Sequence, residues 1–345
     1  MQWYRGGSVL VSSYCHSFLF AGLDQAFAGT SVLNPRDSRP IAPDGGIGDH
    51  YPVAPRPHPA SFLALRAPLK SGIALALGGG FARGYAHLGV LRVFAENNIP
   101  ISCLTGSSIG SIIAAAYASG TPLPRIISKC REVRFRDFAK WRVSRFGLAS
   151  NERLGALVQR YFDSKQFEDL KIPIGIVATD LGTGEPVLFK EGSISDAVRA
   201  SCAFPGLFEP VNIGTRVLAD GGLVAPVPTK AARDLGAEIV VGVSVGMHDG
   251  RPGAPRNIFQ VVSRAVSAAQ KQQLEGWERH ADLVLRPDVQ TLAWDDFHRI
   301  DEAIDAGAAA AQSALSQLKK FCSPNPDEVP EFGKQGELLI VSALE

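Results

Sequence analysis

The amino-acid sequence predicts an α/β fold in which helices cover both faces of a mainly parallel sheet. Short apolar runs of strand length alternate along the chain with longer segments that carry apolar residues at helical spacing. The short runs are apolar throughout, which is typical of strands buried on both faces. The 345 residues are 46% hydrophobic and 20% charged, so the chain can form one large core and is not of the disordered or coiled-coil type.

The first four elements alternate strand and helix. A strand is predicted over residues 73–77, which three successive glycines follow, and a helix over 85–97. A second strand is expected at 101–104 and a second helix at 109–119, where Gly120 supplies a C-cap. This βαβα order begins the parallel sheet.

Further apolar runs extend the same pattern toward the C-terminus. Strands are predicted at residues 174–178, 187–189, 217–218, 239–245 and 283–285. Helices are predicted near residues 193–201, 228–235, 257–279 and 296–319. Residues 338–341 are expected to add a strand at the edge of the sheet.

The folded domain is predicted to span residues 71–322. Residues 1–70 are expected to form an irregular N-terminal extension, because they combine many prolines with little periodicity, and residues 323–345 a C-terminal tail. A weak signal peptide at 1–28 is the alternative for the start of the chain: Ala26-Phe27-Ala28 resembles a cleavage site, but polar residues interrupt the apolar stretch before it. A cytoplasmic or peripheral membrane location is therefore favoured, and secretion stays open.

Charge, cysteine and hydropathy patterns exclude several classes of protein. Thirty-five basic against 34 acidic residues give a net charge of +1, which lacks the basic footprint of a nucleic-acid-binding protein. Five scattered cysteines without a C-x-x-C pair support neither a disulfide framework nor a structural zinc site, and no signature of a metal or organic cofactor is found. Residues 97–124 carry no charge, but prolines and glycines divide them, so they are predicted as core and not as a transmembrane helix.

The strongest local motif is Gly106-Ser107-Ser108-Ile109-Gly110, a G-x-S-x-G between a predicted strand and a predicted helix. A nucleophile elbow needs small residues around a serine whose backbone is strained in a sharp strand-to-helix turn. Ser108 is therefore the candidate nucleophile. The pentapeptide alone also occurs by chance in loops rich in glycine and serine. The prediction therefore depends on the strand before it and the helix after it.

A second glycine-rich turn, Gly78-Gly79-Gly80-Phe81-Ala82-Arg83-Gly84, follows the first predicted strand. It does not fit a dinucleotide-binding fingerprint, and it lacks the lysine of a phosphate-binding P-loop. Its backbone amides could instead form an oxyanion hole, with Arg83 orienting the loop or adding positive potential. A tight βα turn without a ligand is the alternative.

A catalytic serine needs a base, for which the sequence offers two arrangements. Asp220-Gly221-Gly222 follows a short predicted strand, and a carboxylate close to Ser108 could itself accept the hydroxyl proton. A triad of Ser108, Asp220 and either His248 or His280 is also available in chain order. By itself, Asp-Gly-Gly also fits an ordinary turn.

Together, these three motifs resemble the patatin-like phospholipase family, in its bacterial branch related to neuropathy target esterase. The resemblance covers about residues 72–285. Between the motifs, the matching segments are residues 177–181, 184–187, 192–194, 197–201, 204–208 and 210–211. The resemblance implies a three-layer α/β/α sandwich, and it places a patatin-like serine hydrolase domain within residues 71–322.

By position, the resemblance implies a Ser108–Asp220 dyad that needs no histidine. It implies an oxyanion hole formed by the amides of Gly79, Gly80 and Phe81. Supporting roles in the three motifs fall to Arg83, Gly84, Gly106, Gly110, Gly221 and Gly222. The sequence departs from the family at Phe81, where a third glycine is usual, so the donor geometry there depends on the dihedral angles that Phe81 adopts.

The expected function is hydrolysis of fatty-acyl esters of phospholipids, lysophospholipids or related lipids through an acyl-enzyme, which requires no cofactor. The resemblance implies phospholipase A or lysophospholipase activity at a membrane surface. A general carboxylesterase and a non-catalytic lipid-binding or regulatory module are the alternatives. No nucleic acid is expected as a partner.

Residues 126–146 are expected either to contact a membrane or to form a solvated helix. Seven basic residues there are interleaved with Phe135, Phe138, Trp141 and Phe146, which suits an anionic lipid surface. A solvated helix with a packed aromatic side fits the composition equally well. Residues between about 125 and 170 are also predicted to shape the acyl-binding site.

Overall fold

The computed structural model describes residues 69, 71–246, 254–255, 258–322 and 339–342, and the fold is described for these residues. The predicted N-terminal extension with its alternative signal peptide lies outside them except for Leu69, as does the predicted tail except for residues 339–342.

Strands and helices alternate through these ranges. The strands are β1 (Ile73–Leu77), β2 (Ile101–Ser107), β3 (Lys140–Ser144), β4 (Gly147–Ser150), β5 (Ile174–Asp180), β6 (Pro186–Phe189), β7 (Val211–Ile213), β8 (Arg216–Asp220), β9 (Ile239–Val243), β10 (Leu283–Arg286) and β11 (Leu339–Ser342). The helices are α1 (Ala86–Glu96), α2 (Ile109–Ala118), α3 (Leu123–Glu132), α4 (Phe135–Phe138), α5 (Glu152–Tyr161), α6 (Ile194–Ser201), α7 (Thr229–Asp234), α8 (Ile258–Gln272), α9 (Leu274–Glu278), α10 (Ile300–Ser313) and α11 (Leu315–Phe321).

The central sheet is mainly parallel, as the alternation of short apolar runs and helices predicts. Its strand order is β11-β10-β9-β1-β2-β5-β8-β7, and β6 also pairs with β5. The strands from β11 to β5 in this order pair in parallel, whereas β6 and β8 run antiparallel to β5. The carboxyl ends of β1 and β2 therefore meet at one edge of the sheet.

Helices cover both faces, as strand β1 illustrates. All five of its residues are buried. Ile73, Leu75 and Leu77 face the larger core cluster, to which helices α1, α2 and α10 contribute. Ala74 and Ala76 face a second cluster that includes Ala232 of α7 and Trp277 of α9. Since successive side chains of a strand point to opposite faces, this division produces three layers with the sheet in the middle.

Residues 97–124, predicted as core, form β2, α2 and the turns around them. Within the described ranges, the helices are too short or too polar to cross a membrane. Helices are present at both of the last two predicted ranges: α8 and α9 lie within 257–279, and α10 and α11 lie near 296–319. The predicted edge strand at 338–341 corresponds to β11.

The solvated-helix alternative for residues 126–146 is wrong beyond Phe138, because β3 and β4 form an antiparallel hairpin there. The amides of Leu148 and Ala149 both donate to the carbonyl of Leu207, at 3.1 and 2.9 Å. This hairpin is therefore fixed by a segment distant in sequence, which a local pattern of charges and aromatic residues does not reveal. Helix α5 and strand β7 were also not predicted.

Candidate active site

Ser108 lies in a sharp turn between β2 and α2. Its backbone has φ 52° and ψ −126°, a conformation that side-chain-bearing residues adopt only under strain. A Cβ atom on Gly110 would lie 2.1 Å from the carbonyl oxygen of Leu77, and one on Gly106 would lie 2.5 Å from Cα of Ser111. The turn can pack this closely only with glycine at both positions, which is why the G-x-S-x-G spacing occurs here.

The sheet brings Asp220 to the serine from 112 residues away. Strand β5 lies between β2 and β8, with Ser107 paired to Val177 and Asp220 paired to Ala178. Across this strand, Ser108 Oγ donates a hydrogen bond of 2.7 Å to Asp220 Oδ2. The structure thus places the two side chains of the predicted dyad in direct contact.

Gly221 and Gly222 shape the turn that holds the Asp220 carboxylate. The amide of Gly222 donates to Asp220 Oδ1 at 2.8 Å. A Cβ atom on Gly221 would lie 2.0 Å from the carbonyl oxygen of Val177, so only glycine lets the turn close against β5. Gln270 of α8 donates from Nε2 to the Gly222 carbonyl at 2.6 Å and fixes the turn from the other side.

Burial sets the protonation of Asp220, which is only 3% exposed. Loss of solvent raises the pKa of this carboxyl group from its ordinary value to about 6, while the hydrogen bonds from Ser108 and Gly222 act in the opposite direction. A carboxylate with this pKa is ionised at neutral pH, yet it is more basic than an exposed aspartate. Both properties suit a group that accepts a proton.

The histidines in the described residues do not lie between these two groups. The direct contact between Ser108 and Asp220 leaves no space for an imidazole. His280 precedes β10 and therefore lies at the amino end of the parallel strands, opposite the edge that carries Ser108. His87 is fully buried, donates from Nε2 to the Gly78 carbonyl at 2.8 Å, and has its pKa lowered to about 4 by desolvation. His248 lies outside the described residues.

The glycine loop after β1 passes beside the serine, because a Cβ atom on Gly79 would lie 3.3 Å from Cβ of Ser108. The amide of Gly79 is already engaged, since it donates to the carbonyl of Pro226 at 3.1 Å. Among the described residues, no acceptor is bonded to the amides of Gly80 and Phe81. Of the three predicted oxyanion donors, the amides of Gly80 and Phe81 are therefore not engaged by an acceptor of the described residues, whereas that of Gly79 is.

Phe81 adopts a left-handed backbone conformation with φ 52°. This conformation costs a residue with a side chain about 1–2 kcal/mol. The Phe81 ring makes edge contacts with Phe204, Trp294 and Phe259 at centroid distances of 5.2, 5.4 and 6.2 Å. Such contacts contribute about 0.5–1.5 kcal/mol each, so they offset the strain where the family usually has glycine.

Arg83 and Gly84 connect the glycine loop to its surroundings. Arg83 is 3% exposed, and its Nε donates to the Leu292 carbonyl at 2.8 Å. A Cβ atom on Gly84 would lie 2.2 Å from Cγ2 of Ile109, so the short 3-10 helix over Phe81–Tyr85 packs tightly against the serine turn. Both residues position the loop.

Ser201 is a site residue that the sequence reasoning did not assign. Its hydroxyl accepts a hydrogen bond of 2.9 Å from the Ser108 amide and donates one of 2.6 Å to the Val177 carbonyl. It thereby ties the strained turn to β5. The only sequence signal was its place at the end of a segment that resembles the family, which gave no role for the side chain.

An apolar channel begins at Ser108 and follows one face of α2. The side chains of Ile109, Ile112, Ile113 and Ala116 recur at helical spacing along it, and α3, α5, Phe138 and Phe208 form the other walls. The channel has a cavity volume of about 160 Å³ and is partly open to solvent. Many of its lining residues fall between 125 and 162, within the segment predicted to shape an acyl-binding site.

Comparisons with known proteins find a family model and several relatives that match this chain. Residues 75–233 match the family model described as patatin-like phospholipase. An uncharacterized NTE family protein of Mycobacterium tuberculosis is 32% identical over 211 residues, which is 57% of this chain and 55% of that protein. Mouse patatin-like phospholipase domain-containing protein 6 is 34% identical over 190 residues, covering 51% of this chain and 14% of that protein.

Among solved structures, VipD from Legionella pneumophila is similar with a TM-score of 0.43 and 13% identity, covering 73% of this chain and 68% of that one. The chain spans about half the length of the mycobacterial relatives that it matches.

Proposed function

We propose that the chain, whose residues 75–233 match the patatin-like phospholipase family model, is a serine hydrolase of fatty-acyl esters, with phospholipids or lysophospholipids as substrates. The proposed domain comprises residues 71–322. The observation that carries the proposal is the 2.7 Å hydrogen bond from Ser108 Oγ to the buried Asp220 carboxylate at the start of an apolar channel. A nucleophile, a base and an acyl-binding space then occupy one site.

In the proposed reaction, Ser108 Oγ attacks the ester carbonyl carbon and transfers its proton to Asp220 Oδ2. The amides of Gly80 and Phe81 stabilise the negative oxygen of the tetrahedral intermediate, aided by the positive end of the α2 dipole. Asp220 returns the proton to the leaving alcohol as the acyl-enzyme forms. Water then attacks the acyl group with Asp220 as base, and the released Ser108 oxygen regains a proton.

The first test combines covalent labelling with product analysis. Wild-type protein is treated with a fluorophosphonate probe, and fatty-acid release is measured from a lysophospholipid, a long-chain ester and a short-chain soluble ester. Labelling together with a preference for the lipid and long-chain substrates is expected. Preference for the short-chain ester would favour a general carboxylesterase, and a folded protein that is neither labelled nor active would favour a lipid-binding module.

If Asp220 is the base, kcat/KM should fall at acidic pH. Because Asp220 acts in its ionised form, kcat/KM for a soluble ester should be constant above about pH 6, where the pKa lies. Below that pH it should fall about tenfold per unit. The control is His248→Ala, which should show the same fall. A profile that stays flat to pH 4, or a fall that is absent in His248→Ala, would contradict this assignment.

Ala116 should limit the length of the bound acyl chain. It faces the channel about 12 Å along α2 from Ser108. In Ala116→Phe, the added ring would displace two or three substrate methylenes at about 0.8 kcal/mol each, so kcat/KM for long-chain esters should fall roughly 15- to 60-fold. The short-chain ester is the internal control and should be hydrolysed as before. An equal loss on both substrates would place the acyl chain elsewhere.

A further inference from the structure

The β3–β4 hairpin exposes two large aromatic side chains next to the candidate site. Trp141 is 52% exposed and Phe146 is 60% exposed. Among the described residues, the other exposed large hydrophobic side chains are Leu181, Val217, Ile258 and Val261, and all four are aliphatic. Aromatic side chains that combine exposure with a wide apolar surface are typical of proteins that insert into the headgroup region of a bilayer.

The same segment is strongly basic. Residues 131–146 contain six basic and two acidic side chains, a net charge of +4 in a chain whose total is +1. Arg136, Lys140, Arg142 and Arg145 are exposed, and none of them forms an ion pair with a carboxylate of the described residues. The Arg145 guanidinium lies 4.9 Å from the centre of the Phe146 ring, so charge and aromatic surface coincide.

A row of aromatic rings connects this exposed face to the channel. Trp141 lies 5.8 Å from Phe135, and Phe135 lies 5.0 Å from Phe138 and 6.2 Å from Phe208. Phe138 and Phe208 line the channel that begins at Ser108. Only one ring therefore separates the exposed tryptophan from the channel wall.

Helix α8 adds apolar surface next to the same aromatic cluster. Phe259 and Val262 pack against the cluster that contains Phe204, Leu207 and Phe208, as do Phe135 and Phe138 from the hairpin side. At the start of α8, Ile258 is 66% exposed and Val261 is 46% exposed. Four of the six exposed large hydrophobic side chains thus lie on two elements that share one cluster.

We propose that Trp141, Phe146 and the surrounding basic residues form a docking face for an anionic phospholipid bilayer. The proposal rests on the proposed function, because a lipid substrate must pass from a bilayer into the channel. The aromatic side chains enter the headgroup region while Arg136, Lys140, Arg142 and Arg145 contact lipid phosphates. An acidic protein surface would satisfy the basic charges, but it would not account for the exposed aromatic rings beside an apolar channel.

The test measures vesicle binding without turnover, in a Ser108→Ala background. Vesicles of phosphatidylcholine alone are compared with vesicles that also contain phosphatidylglycerol, by co-sedimentation. The protein is expected to bind the anionic vesicles, and less so at high salt. Each basic residue near such a surface strengthens binding by about fivefold, so Arg142→Gln with Arg145→Gln should weaken it about 25-fold. Trp141→Ser with Phe146→Ser should weaken it as well.

Matched controls remove the same chemistry from other surfaces. Lys319→Gln with Lys320→Gln on α11, and Leu181→Ser with Val217→Ser, should bind like the parent protein. Absence of binding to anionic vesicles, or equal binding by the hairpin variants and the controls, would overturn the docking face. The same hairpin variants with Ser108 intact should retain probe labelling and hydrolysis of a soluble ester, so failure of the proposed hydrolase is detected separately.

Discussion

Replacing Ser108 with alanine is expected to abolish both ester hydrolysis and fluorophosphonate labelling. The variant loses the only side chain that the proposed reaction acylates, while the amides of Gly80 and Phe81 and the apolar channel remain. Loss of the nucleophile of a Ser-His-Asp protease lowers kcat by about a million-fold, and a loss of that order is expected here. The measurements are fatty-acid release under conditions of excess enzyme and mass spectrometry of the labelled protein.

The matched control for this variant is Ser107→Ala. Ser107 is the neighbouring serine of the same turn, and its hydroxyl donates to the Ala225 carbonyl at 2.7 Å instead of contacting Asp220. Its loss removes a structural hydrogen bond worth about 1 kcal/mol and should leave labelling intact. Residual hydrolysis by a pure Ser108→Ala protein, or labelling that moves to Ser107, would contradict the assignment of the nucleophile.

The serine turn and the glycine loop could be predicted from sequence because their constraints are local. Close backbone approach requires glycine at positions 106 and 110, and a strand and a helix flank them. Predicting the role of Asp220 required more information, because an Asp-Gly-Gly sequence by itself predicts only a turn. Only the antiparallel insertion of β8 next to β5 brings it to the serine, and the resemblance to the family supplied that information.

Other features of the site depend on contacts that no local pattern records. The engagement of the Gly79 amide depends on where Pro226 lies, and the support of the Ser108 amide depends on Ser201 of α6. Likewise, the β3–β4 hairpin is fixed by Leu207. Each of these partners is 58 or more residues away in sequence, so local propensity and periodicity do not predict these contacts.

Replacing Asp220 with asparagine is expected to lower kcat by about 10²- to 10⁴-fold, the usual contribution of a general base. The amide keeps an oxygen that can accept from the Gly222 amide, so the turn should be preserved. It cannot take the proton of Ser108. The loss should appear in kcat for both short- and long-chain esters, because the base acts on the reacting atoms and not on the acyl chain.

The stability of the Asp220→Asn variant distinguishes loss of the base from loss of the fold. Since burial raises the Asp220 pKa to about 6, the folded protein holds the proton more tightly than the unfolded chain. The stabilisation from this tighter binding is full at low pH and is lost as the pH rises through the folded pKa. Above that pH the buried carboxylate is charged at a cost that a neutral asparagine avoids.

Asp220→Asn should therefore melt at a temperature no lower than wild type at pH 7.5, while its activity is lost. Asp180→Asn provides the control, because Asp180 is a buried carboxylate on the adjacent strand β5 that pairs with Arg216 and does not touch Ser108. Wild-type turnover by a folded Asp220→Asn protein would remove the base from the mechanism. If activity instead depended on His248, a triad would replace the dyad.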